Sequence, residues 1–185
     1  MNHRKPVLLL LILMTSLFTS AQIEAGFLMS KQFKGFGGTA MINMSFPVGE
    51  SDYLTAEFGL SQYGNSDDMV VMIPLLAGYR YTFNRSGTGL YMEPNIGYSL
   101  GETDIPKEDA NGQLIYNYST NDYEYLKAKG VTTGINIGYL FPVTEGWLKA
   151  QWNICFRYSR NFSELQSNTF SLRLTHAFQL GRRRE

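Results

Sequence analysis

The chain has 185 residues, 16 Lys+Arg against 16 Asp+Glu, and is 44% hydrophobic. That balance leaves no basic field for nucleic acid, and a single cysteine, Cys155, excludes an internal disulfide. Tyrosine and phenylalanine number 12 each and glycine 18, while no run of about 18 apolar residues past the N-terminal segment marks a spanning helix.

Residues 1–21 have the layout of a cleaved signal peptide. His3, Arg4 and Lys5 form a basic start, Val7 to Phe18 an apolar run, and Thr19-Ser20-Ala21 a small-residue cleavage site. The run is shorter than the roughly 20 residues a spanning helix needs. The mature chain is expected to begin at Gln22, with 14 Lys+Arg against 16 Asp+Glu, because only Arg4 and Lys5 are lost.

From there one pattern recurs: apolar residues at every second position. Successive strand side chains point to opposite faces, so this period predicts strands with one apolar and one polar face. Strand one spans 22–29, with Ile23, Ala25, Phe27 and Met29 apolar against Gln22, Glu24, Gly26 and Leu28. Strands two to four span 39–46, 53–61 and 70–83. Strand five, 90–100, is the clearest: Leu90, Met92, Pro94, Ile96, Tyr98 and Leu100 against Tyr91, Glu93, Asn95, Gly97 and Ser99, polar or small apart from the tyrosine. Strands six to eight span 131–141, 147–159 and 169–180. Segments of about ten alternating residues, repeated eight times, predict an all-β fold, an eight-stranded antiparallel transmembrane up-and-down β-barrel over 22–180. Residues 181–185 form a basic periplasmic tail.

Pro47–Asp52, Asn84–Thr88 and Pro142–Gly146 read as short turns. Ser30–Gly38, Gln62–Met69, Gly101–Gly130 and Arg160–Asn168 read as longer loops on the opposite side, the arrangement of outer-membrane barrels. Pro74 and Pro94 fall inside strands of a barrel with no free edge, which predicts local bulges there, or a start of strand four after Pro74.

The inward face carries Glu24, Glu57 and Glu93 with Arg80, Lys149, Arg157 and Arg173. An eight-stranded barrel is only wide enough for its own side chains, and an unpaired buried charge is very costly. A packed, ion-paired interior without a pore is therefore expected, as a structural network. His176 is the one histidine past residue 21. With no second ligand at metal spacing, no metal, cofactor or catalytic site is expected, and the chain reads as a non-enzyme. Residues 101–130 exceed the length of a plain connector. Tyr116, Tyr118, Tyr123 and Tyr125, interleaved with Asn, Ser and acids, are the candidate contacts for a protein or surface ligand.

The segments Pro74–Tyr81, Gly89–Tyr98 and Gly134–Tyr139 resemble the small outer-membrane β-barrel domain proteins of Bacteroidota, which include PorT-like proteins, and also the barrel half of OmpA-type proteins. The resemblance implies a Gram-negative outer-membrane location, with membrane lipid and the barrel assembly machinery as partners. It implies a structural or surface-interaction role. A component of a secretion or assembly apparatus is the alternative, and a lipid-modifying enzyme a more distant one.

Overall fold

A computed structural model describes residues 18–49, 51–84, 87–142 and 150–178. Strands follow one another as β1 (Phe18–Met29), β2 (Lys34–Pro47), β3 (Tyr53–Gly64), β4 (Met69–Thr82) and β5 (Gly89–Pro106). Three short strands come next, β6 (Tyr116–Asn117), β7 (Asp122–Tyr123) and β8 (Tyr125–Lys127), then β9 (Gly130–Leu140), β10 (Ala150–Phe162) and β11 (Ser167–Phe178). Each long strand pairs antiparallel with the next, β1 pairs with β11, and β4 pairs with β5. The result is a closed eight-stranded antiparallel up-and-down barrel, as the alternation predicts.

Closure leaves no free backbone edge in the wall, a necessity where no water can satisfy one. Following paired residues once around runs Phe18, Ser45, Thr55, Gly78, Asn95, Gly134, Ser159, Thr169 and back to Leu28, ten residues further along β1. That stagger tilts the strands by roughly 35–45° and keeps the interior narrow.

The faces are assigned as the period of two requires. Ile23, Phe58, Ile96, Ile137, Phe156 and Leu172 point outward and are exposed, while Glu24, Glu57, Asn95, Asn136 and Arg173 point inward and are buried. A polar interior inside an apolar wall is the reverse of a water-soluble barrel and is the polarity a bilayer demands.

Three expectations need correction. The prolines cause no bulge. The β3–β4 register is the same at Phe58↔Leu75 and Ser61↔Met72, on either side of Pro74, and β4–β5 keeps one register from Gly78↔Asn95 to Tyr81↔Met92, past Pro94. The ladder only skips pairs where the N–H is missing, and strand four starts before Pro74, at Met69. Second, most of the upper loops disappear into strands. The connections left at that end are residues 30–33, 65–68 and 163–166, no longer than the turns at the other end. Only the β5–β9 excursion is long. Third, β1 begins at Phe18 rather than Gln22, because the alternation runs on through buried Ser20 and exposed Ala21. A chain cut after Ala21 keeps Gln22–Met29 of that strand. Residues 179–185, with the expected basic tail and the end of strand eight, lie outside the described residues.

Ile96→Arg or Ile137→Arg should cost about 2–4 kcal/mol when the barrel is unfolded by denaturant from lipid vesicles. Asn95→Ala, beside Ile96 but facing inward with an amide that has no hydrogen-bond partner among the described residues, should cost less than about 1 kcal/mol. The opposite ranking would mean that the faces are exchanged.

Candidate functional site: the sealed lumen and the hairpin above it

The end of the barrel that carries the β5–β9 excursion is the upper end; the chain's N- and C-terminal strands enter and leave at the lower end. Leu28, Tyr63, Val70, Met72, Ile105, Leu126 and Ala128 close the lumen at the top with Phe33 and Leu165. Phe33 comes from the β1–β2 connection, where its amide donates to Ser30 Oγ at 2.9 Å and its carbonyl accepts from the Ser30 amide at 2.7 Å. Leu165 comes from the β10–β11 connection. This apolar cap was not foreseen, because six of its nine members, Phe33, Tyr63, Ile105, Leu126, Ala128 and Leu165, sit in segments that read as loops.

Below the cap lies a cavity of about 40 Å³ lined by Tyr63, Met72, Asn161, Glu24 and Arg157 among others. It has room for a few waters and nothing larger. Beneath it four charges interlock. Arg173 Nε donates to Glu24 Oε1 at 2.7 Å, and its two terminal nitrogens donate to the two Glu57 oxygens at 2.7 and 3.1 Å. Arg157 Nη1 reaches the same two acids at 2.9 and 3.1 Å. Ser171 Oγ donates to Glu24 Oε2 and Asn43 Nδ2 to Glu57 Oε1, both at 2.9 Å. Each carboxylate thus meets two guanidinium groups, and each guanidinium two carboxylates.

Arg80 and Glu93 form a separate pair at 2.6 Å, with Asn136 Nδ2 donating to Glu93 at 3.0 Å. The Arg80 guanidinium lies 5.1 Å from the centre of the Tyr91 ring, and the Tyr91 hydroxyl donates to Asn153 Oδ1 at 2.8 Å. Tyr91, Leu140 and Cys155 form an apolar floor. Gly138 sits opposite both Tyr91 and Cys155, and a Cβ there would strike the Cys155 side chain and lie 2.8 Å from the Tyr91 ring. Six of the seven expected lumen charges are therefore brought into two neutral groups; Lys149 lies outside the described residues. No three His, Cys, Asp or Glu side chains among the described residues gather as a metal site.

Above the cap the excursion is ordered. β8 pairs with the upper part of β5 at Glu102↔Lys127 and Pro106↔Tyr125. Three backbone hydrogen bonds then tie three segments together: Ile115 N to Lys107 O, Lys107 N to Glu124 O, and Glu124 N to Ile115 O, at 2.7–2.9 Å. The β6–β7 hairpin projects from this knot, turning through Asn121 in the left-handed region (φ 56°). Strand five does not run straight into Leu114–Tyr118; residues 108–114 fold back first, with a Glu108↔Leu114 bridge. Tyr116 packs edge-on against Tyr118 and Tyr123, with ring centres 5.2 and 5.3 Å apart. Three of the four candidate tyrosines thus share one cluster. The Tyr125 hydroxyl donates instead to Asp122 Oδ1, at 3.5 Å.

A side chain that sequence reasoning missed holds the hairpin to the barrel. Glu164, in the β10–β11 connection, accepts the Lys127 amide at 3.1 Å and pairs with Lys107 Nζ at 3.3 Å. Its carboxyl is held below the usual glutamate range, first by the Lys127 amide.

No family model matches the chain, and no curated protein matches it either. Solved structures do. Ail, the attachment invasion locus protein of Yersinia pestis, aligns with a TM-score of 0.57 at 9% identity, over 88% of this chain and 96% of that one. Ail in complex with the heparin analogue sucrose octasulfate gives 0.55. Neisserial surface protein A aligns with a TM-score of 0.52 at 13% identity, over 86% of this chain and 95% of that one. These likenesses establish a shared eight-stranded barrel fold.

Two outcomes test the site. Glu57→Gln should cost about 3–5 kcal/mol in denaturant unfolding, because it leaves two buried guanidinium groups to share Glu24. Ser171→Ala, which removes one hydrogen bond, should cost about 1 kcal/mol. Glu164 has a lowered folded-state pKa, so its clasp is at full strength above the ordinary value of 4.5 and is lost as pH falls through the lower folded value. Hydrogen exchange at the Lys127 amide, corrected for intrinsic pH dependence, should accelerate only in that acid range. In Glu164→Gln the acid step should vanish.

Proposed function

We propose that this chain is a small outer-membrane β-barrel of a Gram-negative bacterium with a surface-interaction role. In this reading the barrel is an anchor, and the excursion 107–129 is the part that meets other molecules. One observation carries it: the lumen is sealed by an apolar cap, an ion quartet and an apolar floor, while the one long excursion is rigidly built and aromatic. A sealed interior argues against a solute channel. A loop of that length held in one shape by backbone hydrogen bonds argues against a mere connector.

The two neighbouring barrels support the reading by analogy, since one is named a surface protein and the other an attachment invasion locus protein. Membrane lipid covers the apolar wall, and the barrel assembly machinery of the envelope is the expected partner during insertion. The excursion faces outward from the cell, and the terminal strands open toward the periplasm.

The mature protein should fractionate with outer membranes, resist carbonate extraction and migrate differently in detergent gels when unheated. In planar bilayers it should show no stable open conductance. Protease added to intact cells should cut native protein within 108–124 and leave a variant with a short Gly/Ser linker there uncut. Recovery as a soluble periplasmic protein, or a steady conductance, would overturn the proposal.

A further inference from the structure

We infer that the tip of the excursion is a docking surface for a cationic polypeptide. This rests on the proposed surface role and adds the chemistry of the partner. The unpartnered face is the β6–β7 hairpin with its tyrosine cluster. Tyr118 is 90% exposed, yet its ring is held by Tyr116, whose own hydroxyl is fixed on Asn121 Oδ1 at 2.9 Å. An exposed aromatic ledge already locked in place loses little freedom on binding.

Charge says what would sit on it. Residues 108–124 contain Glu108, Asp109, Asp122 and Glu124 and no lysine, arginine or histidine. Asp109 is used locally, its Oδ1 accepting the Asn111 and Gln113 amides at 2.8 and 2.9 Å. Glu108, Asp122 and Glu124 take part in no salt bridge among the described residues. The nearest cations in sequence are committed elsewhere or lie below: Lys107 is paired to Glu164, and Lys127 sits in the pairing with β5. Electron-rich ring faces and unneutralised carboxylates attract the same ligand, an ammonium or guanidinium group. They repel a polyanion. This sets the chain apart from its structural neighbour Ail, which has been seen with a sulfated heparin analogue.

The test uses the full mature chain in phosphatidylcholine nanodiscs, whose lipid carries no net charge, with decalysine, heparin and neutral dextran as probes. Decalysine should bind, more weakly as salt rises, while heparin and dextran should not. The triple variant Glu108→Gln, Asp122→Asn, Glu124→Gln should weaken decalysine binding about tenfold or more. The pair Tyr118→Leu, Tyr123→Leu leaves charge unchanged and should weaken it roughly two- to fivefold per lost ring contact. Heat-shifted gel mobility identifies variants that still fold. Binding of heparin or dextran in place of decalysine overturns the inference, as does decalysine binding that neither variant alters. Surface proteolysis of intact cells is scored beside it. Cleavage of the tip without decalysine binding overturns the partner chemistry alone; an uncut tip on a chain absent from outer membranes overturns the surface role as well.

Discussion

A charge inside a membrane barrel has no solvent to retreat to, so it must find its counter-charge across the lumen. Here that constraint is met by Arg157 and Arg173 on neighbouring strands, which reach Glu24 on β1 and Glu57 on β3. Backbone ladders join each strand only to its neighbours. Apart from the Glu24–Arg173 contact, which bridges the paired strands β1 and β11, the quartet joins strands that do not pair, and so ties the wall together across its diameter. A slip of one residue in any of the four strands would turn a charge out into hydrocarbon. The quartet therefore specifies register, and losing any one member would leave an uncompensated buried charge, in keeping with the use buried ionic groups have in other folds.

Register that is fixed so firmly explains how the wall tolerates Pro74 and Pro94. Each proline removes a donor from the ladder. A bulge would restore pairing on one side only by shifting every later residue to the opposite face, which the inward charges forbid. Skipping a pair costs less, and the strand continues in register on both sides of each proline. The narrow, tilted barrel then leaves its interior little choice. Side chains from all eight strands meet in the middle, and the cavity beneath the cap holds only a few waters' worth of space.

Much of this was legible in the residues, and the limits of legibility are physical. A period of two gives the faces directly, so the six inward charges among the described residues could be named from their positions. Which acid meets which base could not be read, because Glu24 and Arg173 are 149 residues apart and meet only on closure. Strand ends were misjudged at the upper end for a related reason. Lys34–Gly38 and Gln62–Gly64 look like loop composition, yet a barrel wall gives backbone groups there a partner, and pairing overrides propensity. Phe33 and Leu165 lie in true connections but fill the lumen, so no periodicity marks them. Glu164 looked like an ordinary loop acid, and only the arrival of the Lys127 amide beside it reveals a clasp.

The same residue types therefore do opposite work at the two levels of the molecule. Three lumen carboxylates are matched by three guanidinium groups and present no net field to anything outside. The carboxylates at the tip have no such match, and the tyrosines beside them pack on one another rather than into a core. Glu24, Glu57 and Glu93 are each neutralised inside the lumen, while acids and rings stand together on the hairpin, and that contrast is the basis for proposing recognition there. The rigidity of the barrel matters to that capacity. With β8 paired to β5 and Glu164 clasping Lys127 and Lys107, the hairpin is fixed to a wall whose own register the quartet fixes. A partner of the kind proposed would meet a surface whose shape was settled before it arrived, and less binding energy would be spent on ordering the loop.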